Sequence, residues 1–214
     1  VVQRRLAQAL EQAAPGPIRI VSMCAGQGRD VIGVLAEHHR KGDVAARLVE
    51  FDANLVRVAR AMAQDAGLGL EIVQGDASLT SAYAGAVPAH VILVCGVFGN
   101  ISEADIHGTI LELPSLSAPA ATVIWTRHRL APDLTPTIRG WFNEGGFEEI
   151  AFDTEEGTNF GVGTHRLVDA PRPFRANLQM FTFMGDGAGA LARDAHPETG
   201  HSAGPVIDQP LEPK

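Results

Sequence analysis

The chain reads as an α/β protein with a doubly wound, mostly parallel sheet that closes on an antiparallel hairpin. Three observations predict this. Short β-branched or apolar runs alternate with helix-periodic segments as far as residue 144, the pattern of parallel strands covered on both faces. A glycine-containing loop follows the first of these runs at once. After residue 144 two strand-like runs, Phe147 to Phe152 and Val162 to Leu167, follow one another with no helical segment between them.

Leu6, Ala9, Leu10 and Ala13 recur at helical spacing, and Pro15-Gly16-Pro17 stops that helix. Ile18-Arg19-Ile20-Val21 is the first strand, and Asp30 to His39 the helix after the glycine loop, with Val31, Val34, Leu35 and His38 on one side. Arg47 to Phe51 is the second strand, and Leu55 to Ala66 a helix closed by Gly67. Leu70 to Val73 makes the third strand, ending at Gly75-Asp76. His90 to Cys95 is unbroken and apolar, as expected of a strand buried on both faces. Ser102 to Asp105 has the form of a capping box and opens a helix through Leu113. Ala121 to Thr126 is a fifth strand, Leu134 to Glu144 a helix ended by Gly145-Gly146, and Asn177 to Met184 is expected as a further edge strand. The expected division is an N-terminal helix at 1–17, read as a truncated cap, a single domain at 18–184, and a disordered tail at 185–214, where Gly, Ala, Pro, Asp and His lack periodicity.

Composition narrows the partners. Lys and Arg number 17 against 25 Asp and Glu, a net charge of −8, which disfavours nucleic acid because phosphate binding needs clustered basic residues. No apolar run reaches the roughly 18 residues of a membrane span. Cys24 and Cys95 form neither a disulfide framework nor a zinc motif, so no metal is expected and a reducing, cytoplasmic setting is.

The loop Ser22-Met23-Cys24-Ala25-Gly26-Gln27-Gly28 carries the chemistry. Glycines there permit positive φ and close approach of a ligand to a helix N-terminus. The dinucleotide fingerprint G-x-G-x-x-G finds Gly26 and Gly28, but Val31 holds its third position and Gly33 arrives two residues late. The loop instead resembles the first motif of class I S-adenosylmethionine-dependent methyltransferases, acidic-x-Gly-x-Gly-x-Gly. Gly26 and Gly28 are kept, Cys24 stands for the first glycine and Ser22 for the acid; Asp30 is a partial substitute for that acid or a helix-dipole residue.

Two further strand ends carry the same resemblance. Glu50 ends the second strand where this family places an acid on the cofactor ribose, followed by Phe51-Asp52-Ala53-Asn54-Leu55 and a late Ala59-Arg60 pair. Asp52 is the rival for that role or a helix N-cap. Gly75-Asp76-Ala77 resembles the adenine contact, about 25 residues past Glu50. The resemblance covers about residues 18–168. It implies a Rossmann-like seven-stranded fold, the cofactor S-adenosyl-L-methionine, and a cofactor site of Ser22, Cys24, Ala25, Gly26, Gly28, Glu50, Phe51, Asp76, Ala77, Cys95, Gly96 and Val97.

Ligands of open α/β sheets lie beyond the carboxyl ends of the strands, which puts Cys95 to Asn100 and Thr126 to Arg129 at the reaction cleft. His128 is a candidate general base, since imidazole titrates near neutrality, or an exposed loop residue. Arg127 and Arg129 are candidates to bind an acceptor carboxylate, or solvated charges. Asn100 is a contact to the acceptor or to the cofactor's amino-acid end, or a turn or helix-entry residue beside the Ser102 cap. No Asn/Asp-Pro-Pro-Tyr/Phe follows strand four, no Pro-Cys pair is present, and strand four ends without clustered carboxylates. A small organic acceptor is therefore the expected partner. A non-catalytic S-adenosylmethionine- or nucleotide-binding domain is the alternative, and an NAD-linked oxidoreductase the third reading.

Overall fold

The computed structural model describes residues 1–154 and 157–185. Seven strands form one sheet in the order β3-β2-β1-β4-β5-β7-β6. β1 (Ile18–Met23), β2 (Val44–Glu50), β3 (Glu71–Gln74), β4 (Ala89–Val94) and β5 (Ser117–His128) are mutually parallel. β7 (Phe160–Leu167) runs antiparallel between β5 and the edge strand β6 (Phe147–Thr154). The strand order reverses between β1 and β4, so the loops after these two strands diverge and leave a crevice at the carboxyl edge.

One face is covered by α1 (Val2–Gln12), α2 (Arg29–Glu37) and α3 (Ala53–Asp65), with Leu6, Leu10, Val31, Leu35, Val56 and Ala63 turned onto Ile20, Leu48 and Leu93. The other is covered by α4 (Glu103–Leu116) and α5 (Thr135–Glu144), which bring Ile106, Ile110, Leu113, Ile138 and Phe142 onto Val21, Ile92, Val123 and Trp125. The α1 helix packs onto this face of the sheet. Its Leu6 and Leu10 are fully buried, and Arg5 forks onto Asp153 of β6 through bonds of 2.6 and 2.8 Å.

The helix starts follow their sequence signals. Asp52 caps α3, its Oδ1 accepting from Asn54 and Leu55 N–H, and Ser102 caps α4 by accepting from Asp105 N–H. Two sequence expectations are corrected. The fifth strand is longer than Ala121 to Thr126, because antiparallel pairing with β7 continues to His128 opposite Phe160. Residues 177–184 do not join the sheet: they make only isolated bridges to loop residues, Leu79 with Gln179 and Ile101 with Phe183. Met180 and Phe181 are both buried although adjacent, which a half-buried edge strand does not permit. The tail expectation for 185–214 lies outside the described residues beyond Gly185.

Inside the hairpin, Gly163 lies flat under Trp125, so that any Cβ there would collide with the indole ring. Trp125 Nε1 donates to Nδ1 of His165 at 3.1 Å, and Phe142 stacks on that imidazole at 4.2 Å between ring centroids. His165 is fully buried, and burial lowers its pKa to about 4 against an opposing pull from Glu149.

Candidate cofactor and active site

The loop between β1 and α2 is a left-handed staircase. Cys24, Gly26 and Gly28 have φ of 50°, 57° and 69°. Glycine takes such values freely, whereas Cys24 carries a cost of order 1 kcal/mol. Three bonds hold the turn: Ala25 N–H to the Val49 carbonyl at 2.9 Å, Gly28 N–H to the Ala25 carbonyl at 2.8 Å, and Gly26 N–H to Glu50 Oε2 at 2.8 Å. Gly28 faces inward, since a Cβ there would lie 2.6 Å from Leu48 Cδ2. Gly26 faces out, with nothing within 4 Å of where a Cβ would be.

Glu50 joins the ends of β1, β2 and β3. Its Oε1 accepts from Asp52 N–H at 2.9 Å, and its carbonyl accepts from Gly75 N–H at 2.9 Å. The side chain is largely buried, yet each carboxylate oxygen accepts one protein bond and keeps a second lone pair. Asp52 is occupied by its cap, so of the two acids Glu50 is the one turned toward the loop. Phe51 between them is 64% exposed. Asp76 forms an Asx turn, Oδ1 accepting from Ser78 N–H at 2.8 Å, and Ala77 is buried beneath it. The Ala77 carbonyl accepts from the hydroxyl of fully buried Tyr83 at 2.6 Å. Tyr83 was no sequence candidate; its only signal was being the sole tyrosine.

Ser22 is buried within β1 between Leu48 and Leu93, one residue inside the strand end. The thiols diverge. Cys24 packs with the α4 side of the core, Cys95 with the α2 side, although the strand pair Met23 and Val94 immediately precedes them. Burial pushes the Cys24 thiol up to about 12, with Glu50 and Asp76 adding in the same sense. Burial raises Cys95 as well, assisted by Asp30 and opposed by Thr126.

At the ends of β4 and β5, Gly96 has φ 73° and its N–H donates to Thr126 Oγ1 at 2.9 Å. Asn100 closes this turn, Nδ2 donating to the Gly96 carbonyl at 2.8 Å and its N–H to the Val97 carbonyl at 2.9 Å. Val97 and Phe98 point into the core. Arg127 lies under the loop with Nη1 donating to the Phe98 carbonyl, while Arg129 is exposed and reaches Asp133 at 3.4 Å. The His128 ring rests against Gly99, whose Cβ would be 3.4 Å from its Cδ2; its Nδ1 is buried with no hydrogen-bond partner among the described residues. Of the predicted polar groups, His128 and Asn100 are thus brought to one loop. Arg127 is drawn beneath it and Arg129 outward.

Metal-ligating side chains converge once among the described residues, at Glu11, His38 and His39 beyond the far end of α2. His38 Nδ1 accepts from Arg40 N–H, which leaves the neutral ring's proton on Nε2, 3.2 Å from Glu11. The two imidazoles stack at 4.8 Å and 20°, so their lone pairs run side by side instead of meeting at one point. This is a polar cluster at a helix end.

Residues 1–143 match the family described as "Putative methyltransferase". The chain belongs to this family. No curated protein matches it. Among solved structures, an O-methyltransferase family protein from Burkholderia thailandensis is similar at TM-score 0.60 and 12% identity, over 80% of this chain and 57% of that one. Magnesium protoporphyrin IX methyltransferase from Synechocystis PCC 6803, solved with bound SAM, gives TM-score 0.60 at 13% identity over 77% of each chain. The 1,6-didemethyltoxoflavin-N1-methyltransferase of Burkholderia thailandensis, solved with 1,6-didemethyltoxoflavin and S-adenosylhomocysteine, gives 0.57 at 17% over 79% of each. At these identities the likeness is one of fold: the Rossmann-like sheet with its C-terminal antiparallel hairpin. The chain spans little more than half the length of the first two solved structures it matches.

Proposed function

We propose that the chain binds S-adenosyl-L-methionine and transfers its methyl group to a small organic acceptor. The observation that carries this reading is Glu50, which ties the loops after β1, β2 and β3 into one edge with the open side of Gly26 beside it. A carboxylate with spare acceptor capacity beside an unobstructed glycine suits the ribose hydroxyls, and Asp76 suits the adenine amine. Gly96, Asn100 and Thr126 would border the methionine end. When bound, the cofactor supplies an electrophilic methyl on its sulfonium sulfur for direct in-line displacement. The protein contributes orientation and exclusion of water, the buried Val97 and Phe98 keeping the loop after β4 in place. His128, beside Gly99, would accept the acceptor's proton. Arg129 would meet an acidic group on the acceptor.

Turnover of methyl-labelled S-adenosylmethionine against a metabolite library tests the reading. Label transfer to one compound class is expected. A non-catalytic binding domain is the second reading, favoured by Ser22, which buries a hydroxyl where the resemblance places an acid. Tight S-adenosylhomocysteine binding with no transfer would select it. Calorimetric binding of NAD without S-adenosylhomocysteine would overturn both.

A further inference from the structure

After β7 the chain turns back as an extended strap, residues 168–185, across the outer side of α4 toward the carboxyl edge of the sheet. Arg172 N–H donates to the Pro114 carbonyl at 3.1 Å, and Thr109 Oγ1 donates to the Met180 carbonyl at 3.1 Å. The strap then takes hold of two loops. In the loop after β3, Thr80 N–H donates to the Leu178 carbonyl at 2.9 Å and Met180 N–H to the Ser78 carbonyl at 2.8 Å. Thr80 Oγ1 donates to the Arg175 carbonyl at 2.6 Å and accepts from Leu178 N–H at 2.9 Å. In the loop after β4, Phe183 bridges Ile101 and Met184 N–H donates to the Asn100 carbonyl at 2.9 Å. Ser78 is the residue bonded to Asp76, and Asn100 the residue bonded to Gly96. One stretch of chain therefore spans the two loops at opposite ends of the proposed cofactor site.

An ion pair on the α4 side adds a further hold on the strap, between exposed Arg175 and buried Glu112. Glu112 of α4 is 2% exposed, and its carboxylate accepts from Arg175 Nη2, from Arg175 Nε at 3.3 Å, and from Ser115 Oγ. A buried carboxylate on a helix face has no reason to be there without that partner. An open groove runs between strap and helix, lined by Gly108, Leu111, Glu112, Arg172, Leu178 and Met180 among others. Beyond the groove Met180 and Phe181 sink into the core, whereas before it the strap is held at discrete points, of which Arg175 serves two: its side chain grips Glu112 and its carbonyl grips Thr80. The matched family region ends at residue 143, so the strap lies outside it.

We propose that Glu112 and Arg175 are positioning residues for the cofactor site: the pair latches the strap, and the strap sets the distance between the Asp76 and Gly96 loops. This rests on the reading that those loops hold S-adenosylmethionine. The test uses the full chain as wild type, Arg175→Ala, Arg175→Lys and Thr80→Val. Calorimetry measures S-adenosylhomocysteine binding, and hydrogen exchange measures residues 76–80 and 98–101 against β1. We expect at least tenfold weaker binding in Arg175→Ala and Thr80→Val, partial recovery in Arg175→Lys, and faster exchange in the two loops with β1 unchanged. If Arg175→Ala is unfolded, because it leaves the Glu112 charge buried and unpaired, Thr80→Val decides alone. Binding within twofold of wild type, or loop exchange unchanged, overturns the latch. Absence of binding in the wild type would overturn the cofactor reading instead, and loop exchange would still decide the latch.

Discussion

The backbone N–H of Gly26 donates to Oε2 of Glu50 at 2.8 Å across 24 residues of sequence. It couples the cofactor loop to the neighbouring strand end through a side chain and not through the sheet ladder. Glu50→Gln replaces one of two acceptor oxygens by a donor that must face an N–H. We expect a stability loss of about 1–3 kcal/mol in urea unfolding, the range for orphaning a buried hydrogen-bond partner. We expect S-adenosylhomocysteine affinity to fall at least about tenfold, as 1.4 kcal/mol of lost contact implies. Unchanged affinity would remove Glu50 from the site.

Gly26→Ala and Gly28→Ala should separate binding from folding. Both place a side chain at positive φ, at about 1–2 kcal/mol. At Gly28 the new methyl also meets Leu48, and overpacking brings the expected loss to about 2–5 kcal/mol. At Gly26 the space is open, so the folded protein keeps most of its stability and loses cofactor affinity. Equal affinity in Gly26→Ala and wild type would place the ligand elsewhere.

His128→Ala tests the proton acceptor. General bases contribute about 10²–10⁴ in rate, so single-turnover methyl transfer should slow by at least about 100-fold with S-adenosylhomocysteine affinity unchanged. A wild-type rate would leave His128 as a packing residue beside Gly99.

His165 makes stability depend on pH. Its folded pKa is lowered from 6.5 to about 4 by burial, so the unfolded chain takes up a proton that the native state refuses. Its neutral form contributes in full above pH 6.5, and the contribution disappears as pH falls toward 4, a loss of about 3 kcal/mol at 1.36 kcal/mol per pKa unit. His165→Gln, whose amide oxygen can still accept from Trp125, should show a shallower fall in unfolding free energy between pH 6.5 and 4 than wild type. Parallel curves would disprove the assignment.

The two thiols should be slow to react. Cys24, at about 12, is protonated at neutral pH and Cys95 is raised too, so iodoacetamide should modify the native protein far more slowly than the unfolded one. Because the thiols pack on opposite sides of the sheet, mild oxidation should yield no Cys24–Cys95 disulfide. A mass loss of two hydrogens in the native monomer would contradict that.

Much of this was legible in the residues because the informative features were local. Apolar runs and caps set β1 to β4 and α3 and α4 to within a few residues, and Glu50 and Asp76 stood out by their place at successive strand ends. What escaped depended on partners far along the chain. The β5 strand outran its apolar segment because β7 supplies hydrogen bonds as far as His128. Residues 177–184 read as an edge strand, yet their partners are loop groups about a hundred residues earlier, Thr80 and Ser78 among them. Arg127 resembled a free cation at the cleft until the Phe98 carbonyl, 29 residues before it, claimed its guanidinium.

The contact between Gly163 and Trp125 bears on how such a sheet can drift over generations. With the indole lying where a Cβ would go, neither residue can change first without harm: a larger residue at 163 collides, and a smaller one at 125 opens a hole beside Phe142 and leaves His165 without its donor. The two positions should therefore covary as a linked pair among descendants of this chain, with small residues at 163 wherever the tryptophan is retained.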